Sequence, residues 1–345
     1  MSTTDRSQQV PTLADVARHA GVSTATVSRC LNSPDVVVAP TRERVMTAVR
    51  ELGYSPNFNA QSLAAKRTNT VGAVIPTMEN SIFAQGLQAF QEELQRHGIT
   101  LLVSSSSYQE DLEAEQIRTL IARGADALLL IGHHRAQDVF DFLDKRSVPA
   151  LVSWAFTPDA ERVCIGFNNA EAMRGLAQLV IGKGHRRIGF ISADMASNDR
   201  ARERLRGVKD AMVDAGIGPE NLTLVETSYG FETGGDAFRA IMSAETPPSV
   251  VMCGNDVLAI GALRAAKEMG LRTPTDISIT GFDDIELAML AEPALTTVHV
   301  PHSEMGRRAA RMLMKMVQGD ETVSSLELPT DIMVRQTLGP PRQQD

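Results

Sequence analysis

The chain has 345 residues, of which 43% are hydrophobic and only 4% aromatic, and its net charge is −8. That length is enough for two or three domains with proper cores, and the absence of any apolar run of bilayer-spanning length argues against a membrane protein. Cys30, Cys164 and Cys253 are odd in number, far apart and set in apolar surroundings, which argues for reduced thiols and against disulfides or a metal cluster.

The acidic total hides an uneven distribution. Residues 1–70 hold eight lysines and arginines against five acids, while the remainder holds 26 against 37. A basic head on an acidic body confines phosphate contacts to the head. The start of the chain, MSTTDRSQQV, has no hydrophobic segment of the signal-peptide kind, so a cytoplasmic protein is expected.

From Thr12 to Asn32 the pattern predicts two short helices and a tight turn. Thr12 and Asp15 have capping-box spacing, Val16, Ala17 and Ala20 share a face, Gly21 supplies the turn and Ser23 can cap a second helix from Thr24 to about Leu31. On that helix Val27 and Leu31 are expected inside with Cys30 near their edge, leaving Thr24, Ala25, Ser28 and Arg29 outward. A small polar face with one arginine suits a helix in the major groove, where arginine can fork onto guanine and Thr24 and Ala25 can touch a thymine methyl. The same spacing also fits an ordinary helical hairpin with its polar side in water.

Ser33–Ala39 reads as a loop, and Thr41 can cap a third helix, Arg42 to Leu52, stopped by Gly53. Residues 57–66, NFNAQSLAAK, form a short helix-capable piece with one large aliphatic, Leu63. Helices this short are barely stable in water. The segment is either a flexible linker or a hinge helix that folds against DNA, with Leu63 as a minor-groove wedge.

From Thr70 onward apolar runs alternate with helical patterns, most of the helices closed by glycine, the mark of parallel sheets with crossover helices. This is an α/β pattern too long for one small sheet, so two doubly wound lobes are expected. The late strand Thr296–Val300 and helix Ser303–Val317 lead back to the first lobe, so several crossings join the two.

Three stretches of the head, TLADVARHAGVSTATVSRCLN, TRERVMTAVRELGYSPN and NAQSLA, closely resemble the DNA-binding head and hinge of the LacI/GalR bacterial transcriptional regulators. The likeness continues through GKGHRRIGFI, RLRG, CGNDVLAIGALRAAKEMGLRTPTDISITGFDD, PALTTV and MVRQT, and so covers about residues 11–337. The resemblance implies a helix-turn-helix head (1–57), a hinge (58–68) and a two-lobed core of periplasmic-binding-protein type (69–345). Lobe 1 would be about 69–168 plus 301–330, and lobe 2 about 169–300 plus 331–345. It implies a dimer or tetramer on double-stranded operator DNA and a small-molecule effector between the lobes; a homodimer is expected, with no membrane partner and no cofactor. By position, Thr24, Ala25 and Arg29 would read bases, Leu63 would be the wedge, and Arg204, Asn255 and Asp283 would face the effector. Ala25 departs from members with a hydrogen-bonding residue there. Asn168-Asn169 stands where many members have Asp-Asn, which removes one carboxylate.

Asp283-Asp284 follows a strand, where open α/β sheets bind ligands, although a turn or helix cap is the plainer role. Arg204 has the fork to match adjacent oxygens, and Arg200 is a second candidate. Trp154 ends a strand and is either core packing or a stacking surface for a ring. This inventory fits a sugar or sugar acid, with Arg200 tilting it towards the acid. His133-His134 lacks partners at metal-ligand spacing. An enzyme fused to a DNA-binding head is the alternative, but no nucleophile elbow, P-loop or dinucleotide fingerprint is present.

Overall fold

The computed structural model describes residues 10–55, 67–79 and 81–342. The chain forms two compact units, Met1–Thr68 and Asn69–Asp345.

The first unit holds three helices, α1 (Leu13–Ala20), α2 (Thr24–Asn32) and α3 (Ala39–Leu52). Its entry is fixed reciprocally: the Asp15 amide donates to Thr12 Oγ1 at 3.3 Å and the Thr12 amide donates to Asp15 Oδ2 at 2.9 Å. Such a cap stabilises by about 0.5–2 kcal/mol. Gly21 takes a left-handed φ of 65° and Ser23 Oγ caps α2 by accepting from the Thr26 amide at 3.1 Å. Val16, Ala17, Ala20, Val27, Cys30, Val45 and Ala48 make the core. Two expectations change. Cys30 is the buried residue of its pair and Leu31 is half-buried at the edge. The third helix begins at Ala39, three residues before Arg42, because Pro40 sits in the first turn, where its missing N–H costs nothing. Thr41 therefore lies inside the helix.

The second unit contains two six-stranded sheets flanked by helices. The first sheet has the order β11-β5-β4-β3-β1-β2, built from β1 (Thr70–Ile75), β2 (Thr100–Ser105), β3 (Ala127–Ile131), β4 (Ala150–Ser153), β5 (Cys164–Gly166) and β11 (Leu326–Glu327). The second has the order β12-β10-β9-β8-β6-β7, from β6 (Ile188–Ala193), β7 (Leu222–Thr227), β8 (Val250–Cys253), β9 (Ser278–Asp283), β10 (Thr296–His299) and β12 (Asp331–Met333). All pairings are parallel except β10 with β12. Strands such as β3, ALLLI, are buried along their whole length, as parallel strands covered on both faces must be.

The helices of this unit are α4 (Ser81–Arg96), α5 (Glu110–Ala122), α6 (Gln137–Lys145), α7 (Asn169–Gly182), α8 (Asp199–Asp214), α9 (Phe231–Met242), α10 (Asp256–Glu268), α11 (Glu286–Leu290) and α12 (His302–Val317). The expected late strand stays in the second sheet, where Thr296 pairs with Thr280 of β9. Of the two, the helix alone returns to the first lobe, where α12 packs on α4 and is followed by β11. That crossing is tight: a Cβ on Gly306 would lie 2.0 Å from the Gly86 carbonyl oxygen, so both positions exclude side chains. The two-residue β11 and three-residue β12 are too short to leave a periodic trace in sequence. Among the described residues no helix is long and apolar enough to cross a membrane.

Candidate functional site

In parallel sheets the loops after the strands converge at the carboxyl edge, and ligands bind there. In the second lobe three such loops meet. β9 ends at Asp283, which is fully buried and has a φ of 102°. β8 leads through Gly254 to Asn255, whose Oδ1 caps α10 by accepting from the Leu258 amide at 3.0 Å. β6 leads to α8, which carries Arg200 and Arg204 on its buried face.

Arg204 ties these loops together. Its Nε donates to Asn169 Oδ1 at 2.9 Å, Nη1 donates to the Gly254 carbonyl, and Nη2 lies 3.5 Å from Asp283 Oδ1. Its guanidinium carbon sits 3.8 Å from the centre of the Phe282 ring. Arg204, Asn255 and Asp283 are thus brought into one buried cluster. Two of its polar atoms, Asp283 Oδ2 and Asn255 Nδ2, have no hydrogen-bond partner within the chain. Buried groups are normally paired, so these two mark a place for an acceptor and a donor from outside.

Arg200 has a different environment. Its Nη1 pairs with Asp199 Oδ1 at 3.1 Å, and Asp199 Oδ2 accepts the backbone N–H of His133 at 2.6 Å from the loop after β3 in the first lobe. Burial pushes the Asp199 carboxyl up, but Arg200 and the His133 amide outweigh it and hold the group below the usual carboxylate range. Arg200 therefore brings its own counter-charge.

The Trp154 ring packs edge-on to Phe83 at 5.5 Å and lies over Gly86, and its indole N–H donates to His302 Nδ1 at 3.2 Å. Of the two roles left open by the sequence, this packing supplies the core one. The Trp154 carbonyl accepts from Asn169 Nδ2 at 3.1 Å, which links it through Asn169 to Arg204. Asn168 caps α7, its Oδ1 accepting from the amides of Ala170 and Glu171.

Three residues escaped the sequence reading. Tyr108, in the loop after β2, and Tyr229, after β7, bring their rings to 5.7 Å of each other, one from each lobe. Burial raises both phenols, and Tyr229 Oη accepts from Nδ2 of Asn198, the cap of α8, at 3.4 Å. His302 is the third. Burial lowers its imidazole, and Asp283 and Arg204 act on it from the opposite lobe. All three are lone residues at loop or helix ends, without a spacing that singles them out.

In the head, Thr24, Ala25 and Arg29 are exposed on α2 and Ser28 is half-buried, its Oγ accepting from Asn32 Nδ2 at 3.2 Å. Arg29 makes no ion pair among the described residues. His19 Nε2 meets Glu51 at 2.7 Å and joins α1 to α3. Leu63 lies outside the described residues.

Residues 12–57 match the pattern of the bacterial regulatory proteins of the lacI family, and residues 177–338 match the periplasmic binding protein-like domain. The chain is 32% identical over 324 residues to the HTH-type transcriptional repressor CytR of Escherichia coli (strain K12), covering 94% of each chain. The crystal structure of the Lac repressor dimer bound to operator and the anti-inducer ONPF is similar over 96% of this chain and 100% of that one, with a TM-score of 0.85 and 28% identity. A CelR–cellobiose complex is similar over 95% and 99%, with a TM-score of 0.70 and 30% identity.

Proposed function

Because the chain belongs to the lacI family of bacterial regulatory proteins, we propose that it is a transcriptional repressor that binds operator DNA as a homodimer and is released by a small polyhydroxylated effector held between its lobes. It is a regulator and not an enzyme with a DNA-binding head, in keeping with the repressors it resembles along nearly its whole length.

The observation that carries the effector class is the buried cluster around Asp283. A carboxylate oxygen and an amide N–H₂ without partners suit a ligand that both donates and accepts, as vicinal hydroxyls do; an apolar ligand would leave both unpaired at a cost of about 1–3 kcal/mol each. Sugar and sugar acid both fit the hydroxyl pattern. The ion pairs favour the neutral sugar, since Arg204 faces Asp283 and Arg200 faces Asp199, leaving no uncompensated cation for a carboxylate. The cellobiose bound by CelR is a neutral sugar of this kind. Tyr108 and Tyr229 provide flat apolar surface for the face of a ring.

Base reading falls to Thr24, Ala25, Ser28 and Arg29, and Leu63 is the wedge at the operator centre. Leu287, Met289 and Leu290 expose an apolar strip on α11 suited to the subunit contact. Effector binding closes the lobes and shifts the first lobes of the dimer relative to each other, and the spacing of the two heads follows such a shift when it is biased by a few kcal/mol.

The test is a thermal-shift panel of neutral sugars, sugar acids, nucleobases and amino acids. A ligand at one hundred times its dissociation constant stabilises by about 2.7 kcal/mol. A neutral sugar is the expected hit, its shift reduced in Asp283→Ala. A nucleobase or amino acid as the only hit refutes the effector class.

A further inference from the structure

Asp283 occupies a backbone conformation that has to be held. It and Asp284 both have positive φ, 102° and 56°, a region that residues with side chains enter only when their surroundings impose it. The pair is pinned on both sides. Asp284 Oδ1 accepts from Arg335 at 2.6 Å and Asp284 Oδ2 meets His299 Nδ1 at 2.9 Å. The next amide, that of Ile285, donates to Asp256 Oδ2 at 2.9 Å.

Asp256 is the first residue of α10 and is fully buried. Its other oxygen, Oδ1, accepts from Thr297 Oγ1 of β10 at 2.6 Å, so one carboxylate joins α10, the turn after β9, and β10. The strand beside it makes room: a Cβ on Gly281 would lie 2.1 Å from Asp256 Oδ1. Burial raises the proton affinity of this acid, against the opposing effect of Thr297 and Ile285. Packing alone does not call for a charge here, because apolar residues of similar volume commonly serve stability as well or better.

We propose that Asp256 is a positioning residue for effector recognition. By gripping the Ile285 amide it keeps Asp283 in its left-handed turn, with Oδ1 towards Arg204 and Oδ2 presented to a ligand hydroxyl. The inference rests on the reading of Asp283 as an effector contact.

The experiment compares full-length wild type, Asp256→Ala, Asp256→Asn, Thr297→Val and Asp283→Ala, and the first and third of these variants combined with Asp283→Ala. The probes are D-glucose, cellobiose and D-gluconate, titrated calorimetrically. Asp256→Ala weakens the tightest of these by about tenfold or more, since the Ile285 amide loses its acceptor. Asp256→Asn stays within about threefold, because its carboxamide oxygen still accepts from Ile285 while its N–H₂ can donate to Thr297 Oγ1. Thr297→Val, nearly the same shape, loosens the carboxylate and gives an intermediate loss. In the Asp283→Ala background neither Asp256→Ala nor Thr297→Val adds a further loss, which separates action through Asp283 from general damage to the fold. Equal losses in both backgrounds, or an Asn variant as impaired as the Ala variant, overturn the proposal.

Crystals grown without sugar give a readout independent of the probes. In Asp256→Ala, or in Thr297→Val should the alanine variant not fold, Asp283 leaves its positive φ and withdraws from Arg204. An unmoved Asp283 overturns the proposal. Failure of all three sugars to bind wild type counts against the effector reading alone.

Discussion

Arg204 and Asp283 are separated by 79 residues in sequence and meet 3.5 Å apart with side chains only 6% and 0% exposed. Neither is isolated in that position. Arg204 gives its other N–H groups to Asn169 and the Gly254 carbonyl and lies on Phe282, so the cation is held whether or not an effector is present. Removing one partner of a buried pair leaves the other uncompensated, which costs about 3–5 kcal/mol. Asp283→Ala should therefore lower the urea midpoint of the core markedly. Asp283→Asn, which retains an acceptor oxygen for Arg204, should lower it less. An unchanged midpoint in Asp283→Ala would show that the pair does not contribute to stability.

The head gives a separate prediction. Arg29 is exposed on α2 beside Ala25 and Thr24. Arg29→Ala should cost about 1–3 kcal/mol of specific binding, by loss of a bidentate contact to guanine, and should relax sequence preference at that base pair. Footprinting at fixed salt measures it; wild-type affinity in the variant would mean that another residue reads the base.

Leu63→Ala should weaken specific binding and reduce bending at the operator centre, while non-specific binding through the basic head survives. Gel-phasing reads the bend directly, and equal bend angles for variant and wild type would exclude the wedge.

Stability should also depend on pH through buried histidines. His185 Nε2 faces the Gly339 carbonyl at 2.9 Å and so carries the proton it donates, while Nδ1 faces Ser249 Oγ at 2.8 Å. Burial holds His185, and likewise His133 and His302, below the usual imidazole value of 6.5. The unfolded chain then takes up protons before the folded one as pH falls. Stability is retained above pH 6.5 and is lost progressively below it. Urea midpoints of the wild type should decline across that range, and His185→Gln should decline less steeply. Parallel curves would remove His185 from the account.

Much of the head was legible because its signals are local. Thr12, Asp15, Gly21 and Ser23 each act within one turn of the chain, and each caps or turns where its chemistry says it should. The third helix was misjudged because Pro40 can either precede a helix or occupy its first turn. The sheets were legible from wholly apolar strands, but not the destination of the late strand, since Thr296–His299 carries nothing that tells one sheet from the other. Arg204, Asn255 and Asp283, which the structure brings into one buried cluster, were singled out by motifs. Tyr108, Tyr229 and His302 were not, because what unites them is a space between lobes and not a spacing along the chain. The tilt towards an acidic ligand came from Arg200 together with the carboxylate missing at Asn168; the Asp199 partner of Arg200, one residue away, is visible only in the structure.

The route of the chain also governs how the protein is made. The first sheet receives its last strand, β11, at Leu326–Glu327, and its covering helix α12 only at His302–Val317, after most of the second sheet has been synthesised. The second sheet waits longer still, for β12 at Asp331–Met333. Neither lobe is complete while the ribosome holds the chain short of about residue 300, and α4 meanwhile exposes the face around Gly86 on which Gly306 will close. Domains generally fold as units during synthesis, amino-terminal first. Here the head has its own core within the first 52 residues, whereas each lobe is missing covering or edge elements until the chain is nearly complete. Loss of the last twenty residues would therefore take β12 from the second sheet and leave the head's core whole.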